Sequence, residues 1–489
     1  MMTEFKTVHG YVSVFLSLIL MIVLSLCLVL IEGTRQNTVR LEAECITDIG
    51  MNSILAEYHR ELFEQYCLFF IDASYGTDYP SYYITEAHLR EYLQKNAGKE
   101  VLHGLQEGGD LWPGIYMDLL ELSFPEVRIT GVSLATDNRG YSLQRQAIAV
   151  MEGQLGGGLI EELLSWIYVV EENNLLENTL DGQMEALERE LSDLKGKKQL
   201  DDKQWVFVDL DNPAAELLDV RRKGILRWVV ENEEDISAKG ILPEQYVSYR
   251  YGTGDINMGN IASEETLSLY ERLIFQEYVL RYGGCYTNVK ENAGLDYQIE
   301  YLLFGTGSDT ENLRKTAAAI CGMREVANMI YLMGAAEKRE MVKAAAALLA
   351  AALFVPEAEA VFEAILLIAW SFWESMQDTK IVMEGGRVPL LKDDDTWNCS
   401  LDNVFDLHAG SEDKVVGLTY PDYLRVLLYF TDLECITYGF MDLIEMDIRR
   451  TEGNEFFRMD GCIDYVEAEV TAASGYGYRY HLKHAKGYR

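Results

Sequence analysis

The chain has 489 residues, enough for two or three packed subregions rather than one ordinary core. Hydrophobic residues make up 49% and charged residues 25%, a globular balance that excludes a disordered chain. The net charge of −37 argues against nucleic acid as a partner, because phosphates would be repelled, and against a domain lying flat on an anionic membrane.

Tyr11 to Ile31 reads YVSVFLSLILMIVLSLCLVLI, 21 residues without a charge. About 20 such residues span a bilayer core. A cleaved signal is the rival reading, but its apolar region would be shorter and would end at small residues. Here the run ends at Glu32-Gly33-Thr34-Arg35, so a membrane anchor is expected, after a short cytoplasmic N-terminus over residues 1–10. The flanking charges are nearly balanced and the positive-inside rule is almost silent. A ten-residue N-terminus leaves no N-terminal domain, which places the large acidic domain on the extracytoplasmic side.

Residues 32–72 continue helically as a stalk. Val39, Ala43, Ile46, Ile49, Ile54, Tyr58 and Leu62 recur at helical spacing and form one apolar stripe. An unbroken helix from Tyr11 to about Leu68 would be roughly 85 Å long; a kink at Gly33, with a separate helix packed on the domain, is the alternative. Residues 73–200 form a first α+β subregion. Asp72–Pro80 is turn-rich, Ile84–Leu105 is helical, Gly104–Pro113 is a loop, and Val127–Ala135 alternates like a strand. Asn138-Arg139-Gly140 turns that strand into another helix. Leu176, Leu180, Met184, Leu187, Leu191 and Leu194 make a short heptad-like seam, best satisfied within the chain. Lys195–Lys203 reads as a linker.

Residues 201–475 form a helical core subregion, broken at Asn212-Pro213, Leu242-Pro243 and Gly252–Gly259. Thr316–Trp373 is its most apolar part, but charges and Pro356 cut it into pieces too short to span a bilayer, so a buried helical hairpin is expected. Trp397–Leu407 is a loop, and Tyr420–Glu434 and Ile436–Arg449 are two closing helices. The basic tail, residues 476–489, is expected to be loosely ordered. The fold class is therefore mainly α, α+β with few strands, built on a transmembrane helix that continues into a long helix. Eight prolines in 489 residues suit that reading.

No catalytic motif is present: no phosphate-binding Gly-rich loop, no nucleophile elbow, no H-E-x-x-H. His481 and His484 are three apart but sit in the tail. Asp393-Asp394-Asp395 with Asp402 could offer oxygen ligands, yet the order does not fit a Ca²⁺ loop, and a solvated charged loop is expected. The eight cysteines show no metal spacing and read mostly as buried thiols. No cofactor and no metal is implied, and no enzymatic activity.

His9-Gly10-Tyr11-Val12-Ser13-Val14-Phe15 running into Ile31-Glu32-Gly33-Thr34-Arg35, then LAEYHRELFEQYCLFFID (55–72), and LDYQIEYLLFGTGSDTENLRK (295–315) with GGRVPLLKDDDTW (385–397) resemble an uncharacterised membrane-protein family of Gram-positive bacteria. Its N-terminus is similar to the pseudopilin-like TadE/TadG proteins of tight-adherence (Flp) pilus and secretion systems. The resemblance implies a helix that anchors a subunit in the membrane and other pilus or secretion proteins as partners. A prepilin-type processing site would fall between Gly10 and Tyr11. Prepilins carry Glu at the fifth residue after that glycine; here Phe15 stands there, which fits an accessory component that stays in the membrane. An extracytoplasmic cell-wall enzyme or ligand-binding receptor is the alternative.

Overall fold

In the computed structural model, helix α1 runs unbroken from His9 to Leu55, 47 residues and about 70 Å. The structure describes residues 9–97, 121–154, 157–177, 180–194, 196–201, 204–208, 212, 215–230, 232–250, 266–401 and 417–488. Gly33 does not kink α1. The helix ends at Leu55 and not near Leu68, for tertiary reasons. The His59 amide donates to the Phe70 carbonyl at 2.8 Å, folding 69–72 back on the chain. His59 also caps α2 (Arg60–Tyr66), its ring accepting from the Leu62 amide at 3.2 Å. Cys67, with φ of 55°, stops that helix.

Strand β1 (Ile71–Asp72) and helix α3 (Tyr82–Ala97) follow. The alternating stretch is β2 (Leu122–Leu134), longer at its start than the sequence suggested. Asn138, Arg139 and Gly140 take φ of 50°, 58° and 76°, a left-handed corner leading into α4 (Asp137–Glu152). Then come α5 (Gly157–Glu172) and α6 (Leu180–Asp193). The expected linker is instead a hairpin, β3 (Gly196–Asp201) paired with β4 (Gln204–Val208). Pairing satisfies backbone groups that composition alone assigns to solvent.

The helical part comprises α7 (Ala215–Lys223), α8 (Leu226–Val229), α9 (Val247–Arg250), α10 (Leu269–Tyr282), α11 (Gln298–Phe304), α12 (Asp309–Gly334), α13 (Ala336–Ala352), α14 (Glu359–Met383), α15 (Tyr420–Phe430) and α16 (Leu433–Ile448). Their starts are locally encoded. Ser268 with Glu271 and Thr419 with Asp422 form capping boxes, and Asp432 accepts from the amides of Glu434 and Cys435. The expected hairpin is α13–α14, with Pro356 between, but its halves differ. α14 is buried along nearly its whole length. α13 buries only Val342, Ala346 and Ala350 and leaves Leu348 exposed.

The chain closes with β5 (Cys462–Ser474) and β6 (Arg479–Gly487). The tail expected to be loose is thus mostly a strand, ordered by nine residue pairs with β5. β5 is central in an antiparallel sheet: β2 lines one edge, and β1 and β6 share the other end to end.

Apolar residues gather in two cores that cross the expected division near residue 200. One holds α2, α4–α6 and the helices from α7 to α16. The other holds Val39, Ala43, Ile46, Met51 and Ile54 of α1, Leu89 and Leu93 of α3, and the inward residues of β2, β5 and β6. The stripe on α1 therefore packs on its own domain. Ile49 is the exception at 48% exposed. Gly50 permits the contact: a Cβ there would lie 2.8 Å from Leu93 Cδ2.

Candidate functional site

The feature that sets this molecule apart is the division of α1. From Tyr11 to Ile31 every large apolar side chain is exposed, Tyr11 at 86% and Phe15 at 64%. From Val39 the same helix turns one face into the sheet core. The first stretch is long and apolar enough to cross a membrane. Gly10 and Tyr11, the two predicted processing residues, are both helical and directly precede the exposed apolar stretch.

The far end of α1 is fixed by polar contacts. Glu57 accepts from Tyr75 Oη at 2.8 Å and Tyr92 Oη at 2.5 Å, and His88 Nδ1 lies 3.0 Å away. Burial and the Glu57 carboxylate push the Tyr75 hydroxyl above its ordinary value. These groups lock the helix end to α3 and to the turn after β1.

The helical core carries buried charge. Arg324 of α12 donates to Asp378 of α14 through Nε and Nη2, both at 3.0 Å, and through Nη1 to the carbonyls of Pro389 and Leu390. Lys392 lies 2.6 Å from Asp378 Oδ1 and also pairs with Glu374. Glu374 in turn accepts the amides of Asn398 and Cys399, each at 2.8 Å. Burial would raise Asp378, but Arg324 and Lys392 outweigh it and hold the carboxyl below its usual range. The cluster is charge-balanced and closed, and it staples the segment 388–399 to α12 and α14.

α16 bears a second network. Asp442 accepts from Ser248 and Tyr301, Glu445 from Arg250 and Arg449, and Asp447 from Tyr66, Lys290 and Gln298. Glu300 accepts from Tyr420 Oη at 2.6 Å and the Tyr286 amide at 2.9 Å, and burial pushes it up to about 7. Each carboxylate holds elements together. Beside this network, Gly240, Leu242, Gln245, Tyr246, Arg449 and Arg450 line a cleft of about 580 Å³.

The other predicted groups do not converge. Asp393 caps a local turn, accepting from the Thr396 amide at 3.0 Å, and Asp394 takes the Tyr331 hydroxyl; Asp402 lies outside the described residues, as do the loops at 104–113 and 252–259. His481 and His484 sit on β6, where His481 meets Thr471. Among the described residues no group of side chains has metal-binding geometry, and Cys285, Cys321, Cys399 and Cys462 are buried free thiols. The buried networks were illegible because Arg324, Asp378 and Lys392 are far apart in sequence and look like ordinary surface charge.

A single N-terminal helix with one free apolar half, long and apolar enough for a membrane span or a signal anchor, is continuous with the domain built on its other half. A family model matches residues 204–474, and the chain belongs to that family, DUF5702, a family of unknown function. No curated protein sequence and no solved structure matches the chain.

Proposed function

We propose that this protein is a membrane-anchored, non-enzymatic accessory or pseudopilin-like component of a tight-adherence-type pilus or secretion apparatus. The anchor crosses the membrane once, and the large domain faces away from the cytoplasm. The observation that carries the reading is the two-part helix α1: free and apolar over Tyr11–Ile31, keyed into an antiparallel sheet from Val39 onward. A pilin-like subunit needs this division, because the free half must serve lipid or partner helices while the other half holds the domain. Buried carboxylates that brace helices, rather than converge on a cavity, support a structural role. The lipid bilayer and other apparatus proteins are the partners, and nucleic acid is not.

The test is genetic and biochemical. Deleting the gene should abolish or sharply reduce surface pili or secretion by the apparatus, and full-length protein solubilised from membranes should co-isolate with its pilin-like subunits. Unchanged assembly together with no association overturns the reading. N-terminal sequencing of the mature protein should find residues before Gly10 retained, as Phe15 implies. Protease added to wall-stripped cells should reach the domain beyond Glu32.

A second reading, an extracytoplasmic ligand-binding receptor, is favoured by the cleft beside Arg449 and Arg450. Binding of a small anion by the purified protein, lost in Arg450→Ala, would support it.

A further inference from the structure

The last strand runs beside the anchor helix in the same direction. Tyr480 Oη donates to the Gln36 carbonyl at 3.1 Å, Lys486 reaches Asp48 at 2.6 Å and Asn52 at 2.8 Å, and Tyr488 Oη donates to the Leu55 carbonyl at 2.5 Å. The lengths agree: Gln36 to Leu55 rises about 28 Å along a helix, and Tyr480 to Tyr488 about 26 Å along a strand. The β5–β6 turn therefore points toward the free, apolar end of α1. At its tip Tyr476 is 43% exposed, and the Arg35 guanidinium stacks on its ring 4.3 Å from the centroid.

Depth follows from helix geometry. The apolar stretch Tyr11–Ile31 rises about 30 Å, the thickness of a bilayer's hydrocarbon core. Arg35 lies four residues further, about 6 Å beyond it. A headgroup layer is about 5–7 Å deep on each face. Arg35 and Tyr476 thus fall at headgroup depth whenever Tyr11–Ile31 fills the core.

The chemistry suits that layer. The tip offers the exposed Tyr476, whose ring is apolar and whose hydroxyl is polar, while Tyr478 and Tyr480 behind it pack against the sheet core. Arg35 and the exposed Arg479 supply guanidinium groups for phosphate. Glu32, paired with Arg35 at 3.4 Å, and Glu121, whose carbonyl accepts the Gly475 amide at 3.1 Å, face the same tip and keep it near neutral. From Gly475 to Arg489 there is no acid, in a chain whose net charge is −37.

We propose that the β5–β6 turn, Tyr476 and Arg479 together with Arg35, is a membrane-docking surface that seats in the phospholipid headgroup layer and fixes the domain's orientation on the bilayer. The inference rests on α1 being a membrane anchor. Arginine binds headgroup phosphate, and the Tyr476 ring sits beside it in the same layer. Because both sides of the stack, Arg35 on the helix and Tyr476 on the hairpin, meet the same layer, the domain is held at two points rather than swinging on one helix.

The test places the photo-cross-linker p-benzoylphenylalanine at Tyr476, Leu20 or Tyr83 of the full-length protein. Each variant is reconstituted in nanodiscs of phosphatidylcholine and phosphatidylglycerol. Leu20 is 58% exposed in the apolar stretch, and Tyr83 is 65% exposed on α3, whose contacts with α1 lie toward the other end of the sheet core. Intact-mass spectrometry after irradiation should find lipid adducts at 20 and 476 and none at 83. An adduct at 20 without one at 476 overturns the docking surface and leaves the anchor reading standing. No adduct at 20 removes the anchor reading, and the docking surface with it.

Discussion

Replacing Asp378 with Asn tests whether the buried cluster in the helical core is a charge-balanced unit. The change keeps shape but removes one negative charge from two cations and two carboxylates, all buried. Arg324 loses two charge-assisted bonds at 3.0 Å, and Lys392 loses its 2.6 Å partner. Breaking one side of a buried ion pair costs about 3–5 kcal/mol, because the other charge is left uncompensated. In a domain of this size that is roughly 3–5 °C in Tm. The assay is thermal melting of the full-length protein in detergent, followed by circular dichroism at 222 nm. The double variant Arg324→Met with Asp378→Leu restores neutrality, leaving Lys392 with Glu374. It forfeits the bonds to the Pro389 and Leu390 carbonyls, both bonds of Asn328 to the pair and the Lys392–Asp378 contact, at about 1 kcal/mol each, but leaves no charge uncompensated. Because each single change leaves a buried charge uncompensated and the pair does not, its loss should be at least ~2 kcal/mol smaller than the sum of Asp378→Leu and Arg324→Met. A loss under about 1 kcal/mol for Asp378→Asn, or simple additivity, would refute the cluster as an energetic unit.

Ile54→Asp, at a site 1% exposed in the sheet core, should lower the melting temperature by several degrees, while Ile49→Asp, 48% exposed on the same helix, should not; equal effects would mean that the stripe is no packing face. Glu300 sits near 7 in the folded chain through burial, above its ordinary 4.5, so it binds its proton more tightly folded than unfolded. Its share of stability, on the order of 3 kcal/mol, is present below about pH 4.5 and lost as pH rises to 7. Denaturant titrations between pH 5 and 8 should show that slope, flattened in Glu300→Gln. Gly417→Ala should destabilise strongly, since φ is 141° and a Cβ would lie 2.3 Å from the Val388 carbonyl carbon; an unchanged melt would contradict the close approach. A fragment of residues 204–474 alone should bind a hydrophobic dye and lack a cooperative melt, because β5 would lose β2 and β6 from its edges.

What sequence made legible was periodicity over long stretches. The apolar stretch of α1, the strand near Val127–Ala135, the corner at Asn138–Gly140 and the closing helices α15 and α16 all carry local signals. The misses share one cause, pairing over long sequence distance. Helix α1 stops at Leu55 because His59 bonds to Phe70 and Glu57 gathers Tyr75 and Tyr92, none of which is a helix breaker. The basic tail forms a strand because β5 offers it an edge, and Gly196–Asp201 pairs with Gln204–Val208 in a way that charge content disguised. The buried ion cluster was hidden for the same reason: Arg324 and Asp378 are 54 residues apart.

The family-matched segment ends at Ser474, the last residue of β5, and this bears on how the anchor and the domain relate. β5 is the central strand of the sheet, yet β2, β1 and β6 all lie outside residues 204–474. The face of that sheet is covered by α1 and α3, which lie outside it as well. The helical core inside the matched segment thus delivers one strand into a second core made by the chain's two ends. Val466, Ala468, Val470 and Ala472 point into that core at a period of two, a pattern that requires a covering layer. α1 supplies it with Val39, Ala43, Ile46 and Ile54, so a displacement of the anchor helix must strain β5, and through β5 the turn at Met459–Gly461. That turn touches Arg250 and Glu445 of the helical core. A force applied to the apolar half of α1 therefore has a continuous packed route into the domain.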